Sequence, residues 1–331
     1  MSARKELDQK NMKLINNKIK SYPNLVAKYI NSMSSKTSYT KLYYCNYVCN
    51  FLDYMNNEMN INIFDYSLYN NIKPMDIDSY MEHVRFLNNG KEKSGISRAA
   101  YLAAIKNFFT FLRRNGVVNI NPCENIEIPK DKNEHEITTI SDKDMDIIMY
   151  NIEHGVGSPE AIAEQKKWRT RDKAIILLGV TTGLRMGAII GIDIDDINLE
   201  NKTITVVEKG DRKRIIYIGD KTANAIENWL CDRDLMVNSN VEKAVFISRN
   251  KTRMSPDTMQ SIVKRVTTGI DKNITPHKMR ATCATRLYEQ TGDIYLVQQQ
   301  LGHKSIKNTE RYAKVSNERK IQAANILDSI F

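Results

Sequence analysis

The chain has 331 residues, 41% hydrophobic and 27% charged, enough for two domains with ordinary cores. No apolar run approaches the ~20 residues of a membrane span, and the charged start MSARKELDQKNMKLINNKIK lacks the apolar core of a secretory signal, so a cytoplasmic protein with no membrane partner is expected. The net charge of +10 is evenly shared: residues 1–137 hold 19 Lys and Arg against 14 Asp and Glu, and residues 138–331 hold 30 against 25. Two basic halves suit a clamp on a polyanion, and nucleic acid is the leading partner class.

In chain order, the first half reads as helices. In Ser38–Met55 the residues Leu42, Cys45, Cys49 and Leu52 recur at the spacing of one helix face. Cys45 and Cys49 have no second Cys or His pair to complete a zinc site, so they read as packing, and five scattered cysteines argue against a disulfide framework. Lys73–Leu87 is a shorter helix. Ser97–Arg114 carries Tyr101, Leu102, Ile105, Phe108, Phe109 and Leu112 on one side and ends at Asn115-Gly116. The stretch Asn121–Ile137, with two prolines and no period, reads as an extended linker.

The second half is mixed. Ser141–Asp144 looks like a capping-box start, and Ala174–Val180 is an apolar helix. Thr203–Val207 and Ile215–Ile218 read as a β-hairpin around the basic turn Glu208–Arg214. Asp220 is expected to cap a helix through Trp229, and Ala244–Ile247 reads as another short strand. Ser255-Pro256 and Thr275-Pro276 open two further helices, and Asp293 opens a third that Gly302 closes. The fold class expected is mainly α with a small β-hairpin or sheet, α+β.

Six side chains carry chemistry that suits a phosphodiester. His277 and Arg280 share a face at a helix start, where the helix dipole favours anions. Arg185 interrupts two apolar runs in TTGLRMGAIIGI, and Lys209 sits in the hairpin turn. His303 follows a helix-ending glycine, and Tyr312 lies nine residues on between Arg311 and Lys314. A tyrosine hydroxyl at its ordinary pKa of about 10 is a poor nucleophile at pH 7, and nearby cations favour the phenolate. Arginine and lysine can stabilise a pentacovalent phosphate as metal ions do in nucleases, so no metal and no cofactor are expected. Each residue alone also has a plain structural reading, as solvated surface or as an arginine paired near the core.

Taken together, TTGLRMGAIIGI, EKGDRKRIIYIG, HKMRATCATRL and LGHKSIKNTERYAKV resemble the four signature segments of the tyrosine recombinase (phage integrase) family, in order and at similar spacing. Residues 94–130 look like the last helix and exit linker of that family's core-binding domain, and the resemblance runs from residue 23 onward. It implies an N-terminal extension (1–22), a helical, SAM-like core-binding domain (23–127), a linker (128–137) and a catalytic domain of the DNA breaking-rejoining type (138–331) with a C-terminal tail helix. It implies that Arg185 and Arg280 clamp the scissile phosphate, with His277 as general base or part of that clamp. Lys209 would protonate the departing 5′ oxygen, His303 would hydrogen-bond the phosphate, and Tyr312 would attack phosphorus. The partner implied is double-stranded DNA, met by a homo-tetramer in the synaptic complex and by a monomer or weak dimer when free. The amphipathic tail Glu318–Phe331 would dock on a neighbouring protomer or on its own domain. Lys36, Thr37 and Arg98, at helix starts, are candidates for DNA contacts.

Two positions depart from the family pattern. Ala188 stands where an acidic residue is usual, and Ala281 where histidine is common. With no room before residue 23 for an arm-binding domain, a two-domain, Xer-like layout is expected. Three other readings stay open here: a DNA-binding regulator on this scaffold that no longer cuts, a metal-dependent nuclease using Asp193, Asp195 and Asp196, and a type IB topoisomerase. The absence of a long linker insertion and the small N-terminal domain count against the last.

Overall fold

The computed structural model describes residues 3–87, 92–127, 137–208, 212–238, 241–303, 305–312, 324–325 and 327–329. The chain divides into two compact units, Met1–His135 and Glu136–Phe331. The linker expected at 128–137 falls almost wholly outside the described residues.

Among the described residues the α-helices of the first unit are α1 (Ala3–Lys18), α2 (Asn24–Ser32), α3 (Ser38–Asn57), α4 (Pro74–Phe86) and α5 (Gly95–Arg114), and no strand accompanies them. Its core follows the apolar spacing. Cys45, Val48, Cys49, Phe51, Leu52 and Met55 of α3 are fully buried, against Ile105, Phe109 and Leu112 of α5. Rings meet edge to face, Phe51 with Tyr80 at 5.0 Å and with Phe109 at 5.8 Å between centroids. Such pairs add about 0.5–1.5 kcal/mol to simple burial. Thr37 caps α3 by accepting from the Thr40 N–H, and Ser94 caps α5 by accepting from the Ser97 N–H. Residues 1–22, read from sequence as an extension, instead hold α1, and its Ile15 is fully buried in the same core. The helix is mostly polar, and only its packing on α3 shows where it belongs.

The second unit is built around α8 (Arg169–Thr182), which packs on α10 (Asp220–Asp234) and α12 (Pro276–Thr291). Before it come α6 (Asp142–His154) and α7 (Pro159–Lys166), and after it the short α9 (Met186–Ile190). Ser141 and Asp144 close a reciprocal capping box at α6. The sheet has three antiparallel strands in order: β1 (Ile197–Asn198), β2 (Thr203–Glu208) and β3 (Arg212–Tyr217). The hairpin register pairs Val206 with Arg214 and Glu208 with Arg212, so β3 starts earlier than expected. The remaining helices are α11 (Pro256–Val266), α13 (Ile294–Leu301) and α14 (Lys307–Glu310). The architecture is thus mainly helical with a small sheet.

Three local expectations change. Asp220 is the first residue of α10 rather than its cap, and the helix runs a turn past Trp229. Ala244–Ile247 is no strand: it makes only isolated bridges, Asp193 to Ala244 and Ile247 to Arg253. Its backbone is satisfied partly by other backbone groups, the Val245 N–H donating to Ile192 O and Phe246 O accepting from the Met254 N–H, and partly by side chains. Arg233 donates to Ala244 O at 2.8 Å, Trp229 Nε1 to Val245 O at 2.8 Å and Arg171 to Ile247 O at 2.9 Å. Of the expected tail helix only 324–325 and 327–329 are described; they are helical and exposed. Among the described residues no helix is long and apolar enough to cross a membrane.

Candidate active site

Arg280 is the centre of the site. It lies in the second turn of α12 and is buried, 3% exposed. One terminal nitrogen donates to Gly183 O at 2.5 Å and the other to Leu301 O at 2.7 Å. These carbonyls belong to the residue closing α8 and to the last residue of α13, so one guanidinium joins two chain segments. Gly183 can serve because it ends α8 in the left-handed conformation, φ +63°. A Cβ there would stand 2.6 Å from Leu301 Cδ2 and 3.2 Å from Cys283 Sγ.

From Gly183 the chain passes through Leu184 to Arg185, whose backbone caps α9 and whose side chain is exposed. From Leu301 it turns at Gly302, φ +65°, to His303. The His303 N–H donates to Gln298 O and the Gly302 N–H to Gln299 O, both at 3.1 Å, the pattern of a Schellman end. His303 Nδ1 lies 2.9 Å from Thr309 Oγ1, and Thr309 is fully buried in α14. With the hydroxyl donating to Nδ1, the ring proton sits on Nε2 and can be offered to an anion.

Tyr312 follows α14, its N–H donating to Thr309 O at 2.8 Å. Its ring lies near-parallel to the His303 ring, 18° between planes and 6.4 Å between centroids, with the Arg311 guanidinium 5.7 Å from its centroid. It leans on the small apolar cluster of Ala284, Val297 and Leu301. The electrostatics show what surrounds it. Burial first, then the charges of Arg280, Arg185 and Arg311, pull the His303 imidazole down from 6.5 to about 4. Three cations therefore act on one neutral ring beside a tyrosine, an arrangement that favours an anion at that point.

Four of the six predicted residues, Arg185, Arg280, His303 and Tyr312, thus come together. His277 is exposed in the first turn of α12, three residues before Arg280. Lys209 lies outside the described residues. Lys36 and Thr37 are exposed at the start of α3, while Arg98 is half-buried in α5 and its Nε has no hydrogen-bond partner. The Ala188 side chain sits half-buried against the core. With alanine at 188, Arg280 is braced by the backbone carbonyls of Gly183 and Leu301. Ala281 is buried.

The aspartates weighed for a metal are engaged elsewhere. Asp196 accepts from its own turn at Asp193 N, 3.0 Å away, Asp193 pairs with Arg253, and Asp195 lies 3.3 Å from Lys243 Nζ. Among the described residues no cluster of three or more His, Cys, Asp or Glu is placed to hold a metal ion.

Two neighbours of the site were missed from sequence: Thr309, which meets the His303 ring, and Arg214, which donates to Gln299 O and Gln300 O at the end of α13. Thr309 gives no signal, being one polar residue in a polar helix. Arg214 does give one: on β3 it shares the inward face with the buried Ile216 and Ile218, where alternation calls for an apolar side chain.

Comparison with known proteins places the chain in a family. The profile of the phage integrase family matches residues 158–319. The tyrosine recombinase XerC of Alcanivorax borkumensis is 32% identical over 222 residues, 66% of this chain and 69% of that protein. The tyrosine recombinase XerD of Lacticaseibacillus casei is 29% identical, over 74% of this chain and 80% of the other. In fold, the chain matches the XerH site-specific recombinase in a post-cleavage complex with palindromic difH substrate, with TM-score 0.71, 19% identity, and 97% and 90% of the two chains covered. It also matches the Tn1549 transposon integrase in complex with circular intermediate DNA, with TM-score 0.65, 18% identity, and 92% and 99% covered. The chain belongs to the phage integrase family. Its function is that of a tyrosine-type site-specific recombinase.

Proposed function

We propose that this recombinase binds double-stranded DNA and cuts and rejoins it through a 3′-phosphotyrosine formed by Tyr312. In this reading the scissile phosphate sits where the cations converge. Arg280 keeps its two backbone bonds and brings its charge to the non-bridging oxygens. Arg185 approaches from the α9 loop, and His303 donates from Nε2. His277 takes the phenol proton or joins the clamp.

The Tyr312 oxygen bonds to phosphorus, the bond to the 5′ oxygen breaks, and Lys209 supplies the proton that leaves with it. A 5′ hydroxyl from the partner strand then attacks the phosphotyrosine and restores a phosphodiester, so no external energy source is needed. Cleavage is electrostatic stabilisation plus a positioned nucleophile.

The first unit would hold the duplex, with Lys36, Thr37 and Arg98 as contacts, and four protomers would assemble on two sites. The observation that carries the reading is the convergence of Arg185, Arg280 and Arg311 on the neutral His303 beside Tyr312. The test is a nicked suicide duplex carrying the target site. A covalent protein–DNA adduct is expected, undiminished by EDTA and absent in Tyr312→Phe. Adduct formation by the Phe variant would sink the assignment.

A further inference from the structure

The end of α13 is a junction. Four carbonyls at a helix C-terminus lack helical partners and carry the negative end of the dipole. Here all four are engaged: Gln298 O by the His303 N–H, Gln299 O by the Gly302 N–H, and Leu301 O by Arg280. The fourth, Gln300 O, accepts from Arg214 at 2.9 Å, and the same nitrogen reaches Gln299 O at 2.9 Å. The junction is held on further sides, as Gln300 Nε2 donates to Thr182 O at 3.2 Å and Gln298 Nε2 to His303 O at 3.0 Å.

We propose that Arg214 is a positioning residue for the reaction, fixing the β2–β3 hairpin to the end of α13 so that the lysine at the hairpin turn meets the same phosphate as His303. The α13 end is held by its Schellman bonds, by Arg280, by two glutamine side chains and by the full burial of Leu301. The loss of one more bond changes it little. The hairpin is seated in the core by Ile204, Val206 and Ile216, and at the Val206–Arg214 pair, next to the turn, Arg214 reaches across to another catalytic segment. A planar guanidinium donating to two adjacent carbonyls fixes direction as well as distance. The alternation of β3 points Arg214 inward beside Ile216, so the tie is built into the strand.

This inference rests on the reading of Lys209 as proton donor, and the test separates the two. On an ordinary suicide duplex Arg214→Ala should form the adduct about a hundredfold more slowly, the scale of a small misplacement of a reacting group. Arg214→Lys should recover part of that loss. A duplex with sulfur at the 5′ bridging position breaks a P–S bond and releases a thiolate, which needs no proton because a thiol ionises near pH ~8.5. On it both Lys209→Ala and Arg214→Ala should return close to the wild-type rate, an outcome a merely destabilised variant would not give.

If Lys209→Ala stays slow on sulfur, the proton-donor reading fails. If Lys209→Ala recovers and Arg214→Ala does not, the positioning role fails. Whatever the sulfur shows, the double variant reads the coupling. A rate no lower than that of Lys209→Ala alone supports the tie, and multiplied losses overturn it.

Discussion

The two units bury their interiors in different ways. The first is closed by rings and thiols: Tyr29, Phe51, Tyr80, Phe108, Phe109, Cys45 and Cys49 are at most 1% exposed, and none of its described charged side chains is buried. Among its described residues the second buries three arginines, Arg171, Arg233 and Arg280, and each donates to backbone carbonyls outside its own helix. Apolar packing is non-directional and fixes volume more than angle. A buried guanidinium fork fixes which segments meet and at what distance. A surface that tracks a duplex can be mounted on the first kind of core, whereas donors that must meet one phosphate need the second.

The comparison breaks most visibly if a ring can be removed from the first unit without consequence. Phe109→Ala is expected to cost about 3–5 kcal/mol, read as a lowered urea midpoint of the full chain. Next is Arg280→Ala. Adduct formation should fall by about 10²–10³-fold, the scale of losing a preorganised anion donor. Stability should fall as well, by about 1–3 kcal/mol for each buried carbonyl left without its donor at Gly183 and Leu301. Arg280→Lys should restore little, since one ammonium cannot reproduce a fork that joins two segments. A lysine variant with wild-type rate would show that charge, not geometry, is what this position supplies.

The same contrast decides what was legible in the sequence. In the first unit one face of α3 and one of α5 spell their burial at helical spacing, and Asn115-Gly116 ends α5 where expected. What escaped was α1, which has too few apolar residues to announce a face and is fixed by its contact with α3. In the second unit the caps at Ser141 and Ser255 were readable because capping is local chemistry. Ala244–Ile247 was misread as a strand because its partners are Arg233, Trp229 and Arg171, which no local pattern reveals. The candidate site was legible as a set of residue types in order. That Arg280 is a brace between Gly183 and Leu301, and that Thr309 sits beneath His303, are long-range or buried facts with no local signal.

Two glycines sharpen the comparison at smaller scale. Gly116 after α5 and Gly183 after α8 have nearly the same backbone, φ +69° and +63°. A Cβ at Gly116 would meet nothing within 4 Å, whereas at Gly183 it meets Leu301 and Cys283. Gly116→Ala should therefore cost only the left-handed strain, about 1–2 kcal/mol. Gly183→Ala should cost that plus about 1–3 kcal/mol of overpacking. It should also slow adduct formation by displacing the carbonyl that Arg280 holds. Equal costs at the two positions would mean that the α8 end has more room than its packing indicates.

The smallest effect expected is a pH dependence centred on His303. Its imidazole is held at about 4 by burial and by Arg280, Arg185 and Arg311, against 6.5 when free of them. Between these values the unfolded chain takes up a proton that the folded chain refuses. The contribution of this ring to stability is therefore whole above pH 6.5 and declines as pH falls toward 4. The ring is in partial contact with solvent, so the effect is modest. Comparing the urea midpoints of the wild type and His303→Gln isolates it: the wild type should lose ground relative to the variant between pH 7 and pH 4.5, and hold level above. A gap that stays constant across that range would mean that the three arginines do not act on His303, and the convergence that marks the site would dissolve with it. Added inorganic phosphate gives the sign a second check. An anion seated among these cations raises the imidazole again, so phosphate should flatten the decline in the wild type and leave His303→Gln unchanged.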